Sequence, residues 1–136
     1  MRLVEAKMLQ LMDRRSNGKA GSNTDVAYSV TMGCTYVYLH NNLIAKLYKD
    51  GSLFISDAGW QTVTTKSRLN AIINYFCDGT KTGVIQSDYE WYLYEAGRIQ
   101  YMNSSQWYEV SRKQYGKEVE LPKFSRKALA TARGAA

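Results

Sequence analysis

The sequence contains few of the residues that bind metal ions or form disulfides. One histidine, His40, and two isolated cysteines, Cys34 and Cys77, occur in 136 residues, with no CxxC spacing. A structural zinc site needs four ligands, usually cysteine or histidine at short regular spacings. We therefore expect no metal site and no cofactor. Both thiols are expected to be reduced and structural, with a disulfide or a reactive thiol as less favoured alternatives.

Long hydrophobic runs are also lacking. No apolar stretch approaches the roughly 18–20 residues that a membrane-spanning helix requires. The opening MRLVEAKMLQLMDRR mixes charged with apolar side chains, where a secretory signal would have a continuous apolar segment. We expect no membrane association and a cytoplasmic location.

Catalytic motifs are absent as well. The chain has no paired carboxylates, nucleophile elbow, Walker motif or zinc motif. Asp57, near Thr62 and Lys66, could hold a metal or act as a base, but one carboxylate alone is weak evidence. We therefore predict that the protein is not an enzyme and has no catalytic residues.

Length and composition indicate a folded protein. Hydrophobic residues make up 45% of the chain, and eleven tyrosines with three tryptophans are too many for a disordered one. A length of 136 residues is that of one ordinary domain. We expect a single folded core.

Two periods in the sequence predict an α+β fold. Helical spacing of apolar residues predicts a short N-terminal helix and an amphipathic helix over about 65–77, with an apolar stripe of Leu69, Ile72, Ile73 and Phe76. Alternating patterns predict a mainly antiparallel β-sheet meander before the second helix, and another antiparallel set, which includes the QWYEV stretch, after it. The predicted parts are an N-terminal helix at 1–14, a flexible loop at 15–24, an α+β core domain at 25–111 and a basic C-terminal tail at 112–136.

Turn residues separate the predicted strands of the meander. Asn41-Asn42 can supply the left-handed conformation that a two-residue hairpin loop requires. Lys49-Asp50-Gly51 predicts a second tight turn, with glycine at the left-handed position.

The segment before the second helix combines threonines with cations. Cations at the start of a helix face the positive end of its dipole, which is mildly unfavourable without a counter-charge. One interpretation is a phosphate-binding corner, and the other is a purely structural helix start, in which Thr64 or Thr65 caps the helix and Trp60 packs between helix and sheet. The residues assigned to the phosphate-binding corner are Trp60, Thr62, Thr64, Thr65, Lys66 and Arg68.

The strand predicted near residues 89–95 has two different faces. Tyr89, Trp91 and Leu93 form an apolar face, and Tyr92 and Tyr94 point to the opposite side. The two tyrosines could stack on nucleic-acid bases, or they could form ordinary cross-strand aromatic pairs in a half-buried sheet.

Positive charge is concentrated near the end of the chain. Residues 112–136 carry a net charge of +5, whereas the preceding 111 residues together carry +1. Such a basic segment could contact nucleic acid or a partner subunit, or it could be a solvated tail. The residues assigned to nucleic-acid contact there are Arg112, Lys113, Lys117, Lys123, Arg126 and Lys127.

Three stretches resemble a family of small, mostly uncharacterised bacteriophage and prophage proteins. They are Asn23-Thr24, LHNNLIA from Leu39 and GWQTVTTKSRLNA from Gly59. They are similar to the family's asparagine-threonine opening, LHGNLIA hairpin and GWxTxTTKxRLNA motif, and the likeness covers about half of the chain. An asparagine stands where the family's hairpin has glycine, and asparagine also tolerates the left-handed conformation. The resemblance implies a viral protein in the cytoplasm of an infected bacterium, and it implies no particular activity.

Two functions are compatible with these features. The first is a small phage accessory protein that binds nucleic acid or another phosphate-bearing ligand without catalysis. The second is an anti-defence protein that sequesters a host immune signalling nucleotide near Trp60, or that blocks a host protein. A homo-oligomer is an open alternative in both cases. Nucleic-acid binding should weaken steeply with salt and need the tail, whereas binding in a nucleotide pocket should not.

Overall fold

A computed structural model describes residues 2–77, 79 and 81–110 of the chain. This part contains two α-helices and nine β-strands in two antiparallel sheets, which confirms the predicted α+β fold. None of the helices described is long and apolar enough to cross a membrane. In chain order the elements are α1 Leu3–Asp13, β1 Gly18–Lys19, β2 Thr24–Ser29, β3 Cys34–Leu39, β4 Asn42–Tyr48, β5 Leu53–Ile55, α2 Val63–Phe76, β6 Thr82–Ser87, β7 Glu90–Glu95, β8 Arg98–Tyr101 and β9 Tyr108–Val110.

The larger sheet has six strands in the order β1-β2-β3-β4-β5-β9. Strands β2 to β5 form the predicted meander. The β3–β4 hairpin turns at His40 and Asn41, whose φ angles are 51° and 63°, and Leu39 pairs with Asn42 across the turn. The predicted turn pair Asn41-Asn42 is therefore wrong by one residue. A two-residue loop of this kind needs both central residues left-handed, and Asn42 instead begins β4.

Strand β9 belongs to the larger sheet and not to the second set, where the sequence pattern placed it. It pairs with β5, with Val110 opposite Leu53 and Tyr108 opposite Ile55. All four of these side chains are buried, so β9 extends the inner face of the sheet by one strand. Burial of these side chains stabilises the pairing of β9 with β5, although β8 is closer to β9 in sequence.

The segment at 15–24, predicted as a flexible loop, contains β1 and follows the surface of α1 closely. A Cβ atom on Gly18 would lie 3.1 Å from a methyl carbon of Leu11, and one on Gly21 would lie 2.9 Å from a methyl carbon of Val4. These two glycines therefore allow close packing of the chain against the helix. Composition alone does not distinguish this role from flexibility.

Both helices pack on the inner face of the larger sheet. Leu69, Ile72 and Ile73 of α2 are fully buried, as their spacing predicts, and Phe76 is partly buried at the edge of the core. The buried residues of α1 include Glu5 among three apolar side chains, Met8, Leu9 and Met12.

The smaller sheet has three strands in the order β6-β7-β8 and shares the same core. Trp91 and Leu93 of β7 and Val84 of β6 lie in the core cluster with the residues of α2. The Asn70 side chain of α2 also binds the backbone of β6. Its Nδ2 donates to the Val84 carbonyl at 2.9 Å, and its Oδ1 accepts from the Val84 N–H at 2.8 Å. Helix α2 thus joins the two sheets.

Candidate functional site

Two tight turns lead the chain from β5 towards α2. Ser56 Oγ accepts a hydrogen bond from the Ala58 N–H at 3.1 Å, and Asp57 Oδ1 accepts one from the Gly59 N–H at 2.8 Å. Gly59 has a φ of 89°, a conformation that suits glycine. The turns place the Trp60 side chain on the surface, with 62% of its area exposed. Trp60 therefore does not pack between helix and sheet.

The first turn of α2 is held by two threonines. Thr62 is the N-cap, and its Oγ1 accepts a hydrogen bond from the Thr65 N–H at 3.1 Å and contacts the Thr65 hydroxyl at 2.9 Å. The prediction that Thr64 or Thr65 caps the helix is wrong, because an N-cap hydroxyl reaches the N–H three residues later and Thr65 occupies that later position. The helix accordingly starts at Val63, two residues before the predicted start.

A cavity of about 520 Å³ opens beside this helix start. One wall comes from the end of the β3–β4 hairpin and the other from the segment between β5 and α2. The lining residues are Leu39, His40, Asn42, Ile44, Asp57, Ala58, Trp60, Thr62, Thr64 and Thr65. The four predicted residues Trp60, Thr62, Thr64 and Thr65 are thus brought together.

Asp57 gives this cavity a buried carboxyl group. The residue is 1% exposed, and its Oδ1 accepts hydrogen bonds from the N–H groups of Gly59 and Ser105, the latter at 2.7 Å. Its Oδ2 is also buried, and no donor among the described residues reaches it. Buried carboxylate oxygens are costly without a hydrogen bond. Asp57 therefore has a buried acceptor oxygen at the wall of the cavity that has no donor among the described residues.

Arg68 lies away from the cavity, in a buried ion pair with α1. Its Nη1 is 2.7 Å from Glu5 Oε2, and its Nε donates to Thr24 Oγ1 at 3.1 Å. A weaker contact of 3.4 Å joins Nη2 to Asn23 Oδ1. Glu5 is the counter-charge that a cation near a helix N-terminus requires, so Arg68 is engaged within the protein.

Lys66 is partly buried and does not line the cavity. Within the described residues it makes no ion pair. Of the two cations predicted to reach a phosphate, Lys66 is therefore the one without an ion pair in the described part of the chain.

The remaining predicted residues lie elsewhere. Tyr92 and Tyr94 are 4% and 1% exposed, so their rings do not form an open stacking surface. Tyr92 packs edge to face on Tyr101, its direct neighbour on β8, with ring centroids 5.8 Å apart. This is the cross-strand pairing that the sequence left as one alternative. The predicted nucleic-acid residues of the tail, Arg112, Lys113, Lys117, Lys123, Arg126 and Lys127, lie outside the described residues.

Sequence reasoning did not assign the hairpin wall of the cavity or the role of Asp57. Leu39, His40 and Ile44 belong to the LHNNLIA stretch, and their position opposite Trp60 depends on the pairing of β4 with β5. One indication of this cavity is present in the sequence: its two walls contain the LHNNLIA and GWQTVTTKSRLNA stretches, which both resemble the phage family's motifs. No group of three or more potential metal ligands occurs in the described part of the chain.

Comparison with known proteins identifies a family but no individual relative. The family model of the Kyanoviridae Gp96 protein matches residues 1–118. Neither the curated proteins nor the solved structures contain a match. The matched range includes both helices, all nine described strands and the cavity. The chain therefore belongs to the Kyanoviridae Gp96 protein family, a family of phage proteins.

Proposed function

We propose that the protein binds a nucleotide, without catalysing a reaction, in the cavity at the start of α2. The observation that carries this proposal is the position of a buried, incompletely hydrogen-bonded carboxyl group, Asp57, in the same cavity as a helix N-terminus. A volume of about 520 Å³ is in the range of small-molecule sites.

The helix start suits the phosphate of such a ligand. The first N–H groups of a helix have no hydrogen-bond partner within the helix. In α2 the N–H group of Thr65 donates to the Thr62 hydroxyl. This leaves the N–H group and the hydroxyl of Thr64, which lines the cavity, for an anion. Lys66 adds positive charge in the same turn.

Asp57 favours a ligand that also carries hydrogen-bond donors. A bare anion would be repelled by the carboxylate. A ribose hydroxyl or a base amino group could donate to Oδ2 after a small movement of the Asp57 side chain, because Oδ2 is buried in the unliganded protein. The exposed Trp60 ring could stack on the base. These three features together support a nucleotide rather than inorganic phosphate.

A nucleotide-binding cavity would suit an anti-defence protein that sequesters a host immune signalling nucleotide. A phage accessory protein that binds nucleic acid is the competing use. Salt separates the two uses, because binding that depends on many phosphate contacts falls steeply with salt concentration. Binding of one nucleotide in a cavity should change much less.

Isothermal titration with AMP, ribose 5-phosphate and inorganic phosphate tests the proposal. We expect AMP to bind at least tenfold more tightly than inorganic phosphate. Asp57→Asn keeps the Oδ1 acceptor and replaces Oδ2 by a donor, so AMP should bind about tenfold or more weakly, which corresponds to about 1.4 kcal/mol. Trp60→Ala should weaken AMP but leave ribose 5-phosphate unchanged.

The matched control is Tyr89→Ala, which removes an exposed aromatic ring from the turn between β6 and β7. It should bind all three ligands like the unaltered protein. The proposal is wrong if neither AMP nor the guanosine, cytidine and uridine monophosphates bind at millimolar concentration. It is also wrong if Asp57→Asn and Trp60→Ala bind AMP as tightly as the control does.

A further inference from the structure

The outer face of the larger sheet carries a row of aromatic side chains. Side chains alternate along a strand, and Val37, Leu47 and Ile55 point into the core. The neighbouring positions therefore point outwards. We call the aromatic residues among them the outer aromatic face: Tyr36 and Tyr38 of β3, Tyr48 of β4, Phe54 of β5 and Trp107 immediately before β9.

Strand pairing brings these rings together around one cation. Lys46 is paired with Tyr36 on one side and with Phe54 on the other. Its Nζ lies 4.4 Å from the centroid of the Trp107 ring. Tyr48 packs edge to face on Phe54, with centroids 5.8 Å apart. The result is a surface of interleaved aromatic rings with a positive charge at its centre.

This face lies outside the hydrophobic core. None of its five aromatic residues belongs to the core cluster or to the side chains packed against that cluster. The four strand residues are partly exposed, and Trp107 is 37% exposed. The sheet therefore presents partly open rings on the side opposite the two helices.

Glu109, which is paired with Phe54, and Asp25, which is paired with Tyr38 and forms an ion pair with Lys19, are acidic side chains of this face. The groups beneath Tyr36 and Tyr48 are uncharged at neutral pH. Cys34 is buried under Tyr36 and Tyr48, and burial raises the pKa of its thiol. Burial and the neighbouring Cys34 also raise the pKa of both tyrosines. The thiol and the two phenols stay protonated, so they do not repel phosphate groups.

The basic part of the sequence follows this face directly. Strand β9 is the edge of the larger sheet, and Glu109 points to the outer side between Trp107 and the end of the strand. Residues 112–136, which begin two residues after Val110, carry a net charge of +5. The chain that continues from β9 is therefore strongly basic in sequence.

We propose that the outer aromatic face binds single-stranded nucleic acid. Unpaired bases stack on the rings, and phosphates interact with Lys46. This chemistry combines aromatic side chains with positive charge, which is how single strands are bound without sequence readout. A duplex keeps its bases stacked on one another and offers the rings no free base surface. The site is separate from the cavity at α2.

Fluorescence anisotropy with a labelled 15-nucleotide oligo(dT) and a 15-base-pair duplex tests this proposal on the full chain. We expect the single strand to bind at least tenfold more tightly than the duplex, and its binding to weaken as salt is raised. Trp107→Ala removes the most exposed ring of the face and the partner of Lys46. It should weaken oligo(dT) binding about tenfold, which is the loss expected for one stacked base.

Two controls locate the effect on the outer aromatic face. Tyr89→Ala removes an exposed ring elsewhere, and Trp60→Ala removes the ring at the cavity; both should bind oligo(dT) normally. Thermal melting of each variant shows whether it is folded. If Trp107→Ala is unfolded, Lys46→Met is used in its place and should weaken oligo(dT) binding at least threefold.

Three results would overturn the proposal. They are equal binding of single strand and duplex, unchanged oligo(dT) binding in the folded Trp107→Ala or Lys46→Met variant, and concentration-dependent dimerisation that Trp107→Ala abolishes. The last result would mean that a second copy of the chain covers the face. Because Trp60→Ala affects only the cavity, failure of this proposal and failure of nucleotide binding are distinguishable.

Discussion

At the scale of single residues, the buried ion pair between Arg68 and Glu5 is the strongest polar contact between the two helices. Arg68 is 3% exposed, and its guanidinium also contacts Thr24. Arg68→Met keeps much of the apolar volume and leaves the Glu5 carboxylate buried without its cation. We expect urea denaturation to show that the free energy of unfolding falls by about 3–5 kcal/mol.

Lys66→Met is the matched control for this experiment, because Lys66 occupies the same helix turn without an ion pair among the described residues. Its effect should stay within about 0.5 kcal/mol. The double variant Glu5→Gln with Arg68→Met should recover much of the lost stability, since no unpaired charge is then buried. Equal losses for Arg68→Met and Lys66→Met would contradict this account.

The roles of charged residues were the least predictable feature at this scale. A glutamate at position 5 of an amphipathic helix is expected to face solvent. Its burial depends on an arginine far away in sequence, and no local pattern contains that information. The same holds for Asp57, whose second anchor is the Ser105 N–H. The sequence could predict that Trp60, Thr62, Thr64 and Thr65 lie close together, because these residues are neighbours in the chain.

At the scale of elements, the start of α2 depends on one hydroxyl group. Thr62→Ala removes the acceptor of the Thr65 N–H and should lower the free energy of unfolding by about 1 kcal/mol. Thr62→Ser retains the acceptor and should lose clearly less. Thr64→Ala is the control within the same turn. Chemical denaturation of the three variants checks this, and a Thr64→Ala loss as large as that of Thr62→Ala would show that the cap is misassigned.

Helices and hairpins could largely be predicted from the sequence, because their signals are local. The apolar stripe of α2 and the turn at Gly51, which has a φ of 98°, are where the pattern placed them. Element ends were less predictable. Several threonines near Val63 can serve as caps, and the sequence pattern does not distinguish Thr62, the one that does, from Thr64 and Thr65.

At the scale of the whole molecule, one core holds both sheets together. Ile73 is fully buried in the cluster that includes residues from both sheets. Ile73→Ala should lower the free energy of unfolding by about 2–5 kcal/mol. Tryptophan fluorescence and circular dichroism should still report one coincident unfolding transition.

Val30→Ala is the control, because it removes methyl groups from a side chain that is almost fully exposed. It should change stability by less than about 0.5 kcal/mol. A small effect of Ile73→Ala, or separate transitions for the two probes, would mean that the sheets do not share one core.

The arrangement of the sheets was the least predictable property of the whole molecule. Sequence patterns predict strands but not which distant strand each one joins. β9 pairs with β5, where Tyr108 and Val110 continue the buried inner face of the larger sheet, and no local pattern near β9 identifies this distant partner. Of the two alternatives for Tyr92 and Tyr94, cross-strand pairing is the one found, and the sequence pattern did not identify the partly open rings of the larger sheet.

The Asn70 side chain affects whether β6 can pair with a strand of another molecule. The unpaired N–H and C=O groups of an edge strand can recruit a strand from another molecule, which leads to aggregation. On β6, Asn70 occupies both backbone groups of Val84 and so takes the place of an additional strand. The larger sheet ends in strands of two and three residues, too short to template much pairing. Three of the four sheet edges in the described part of the chain are thus short or occupied, which leaves β8 as the edge best able to recruit a further strand.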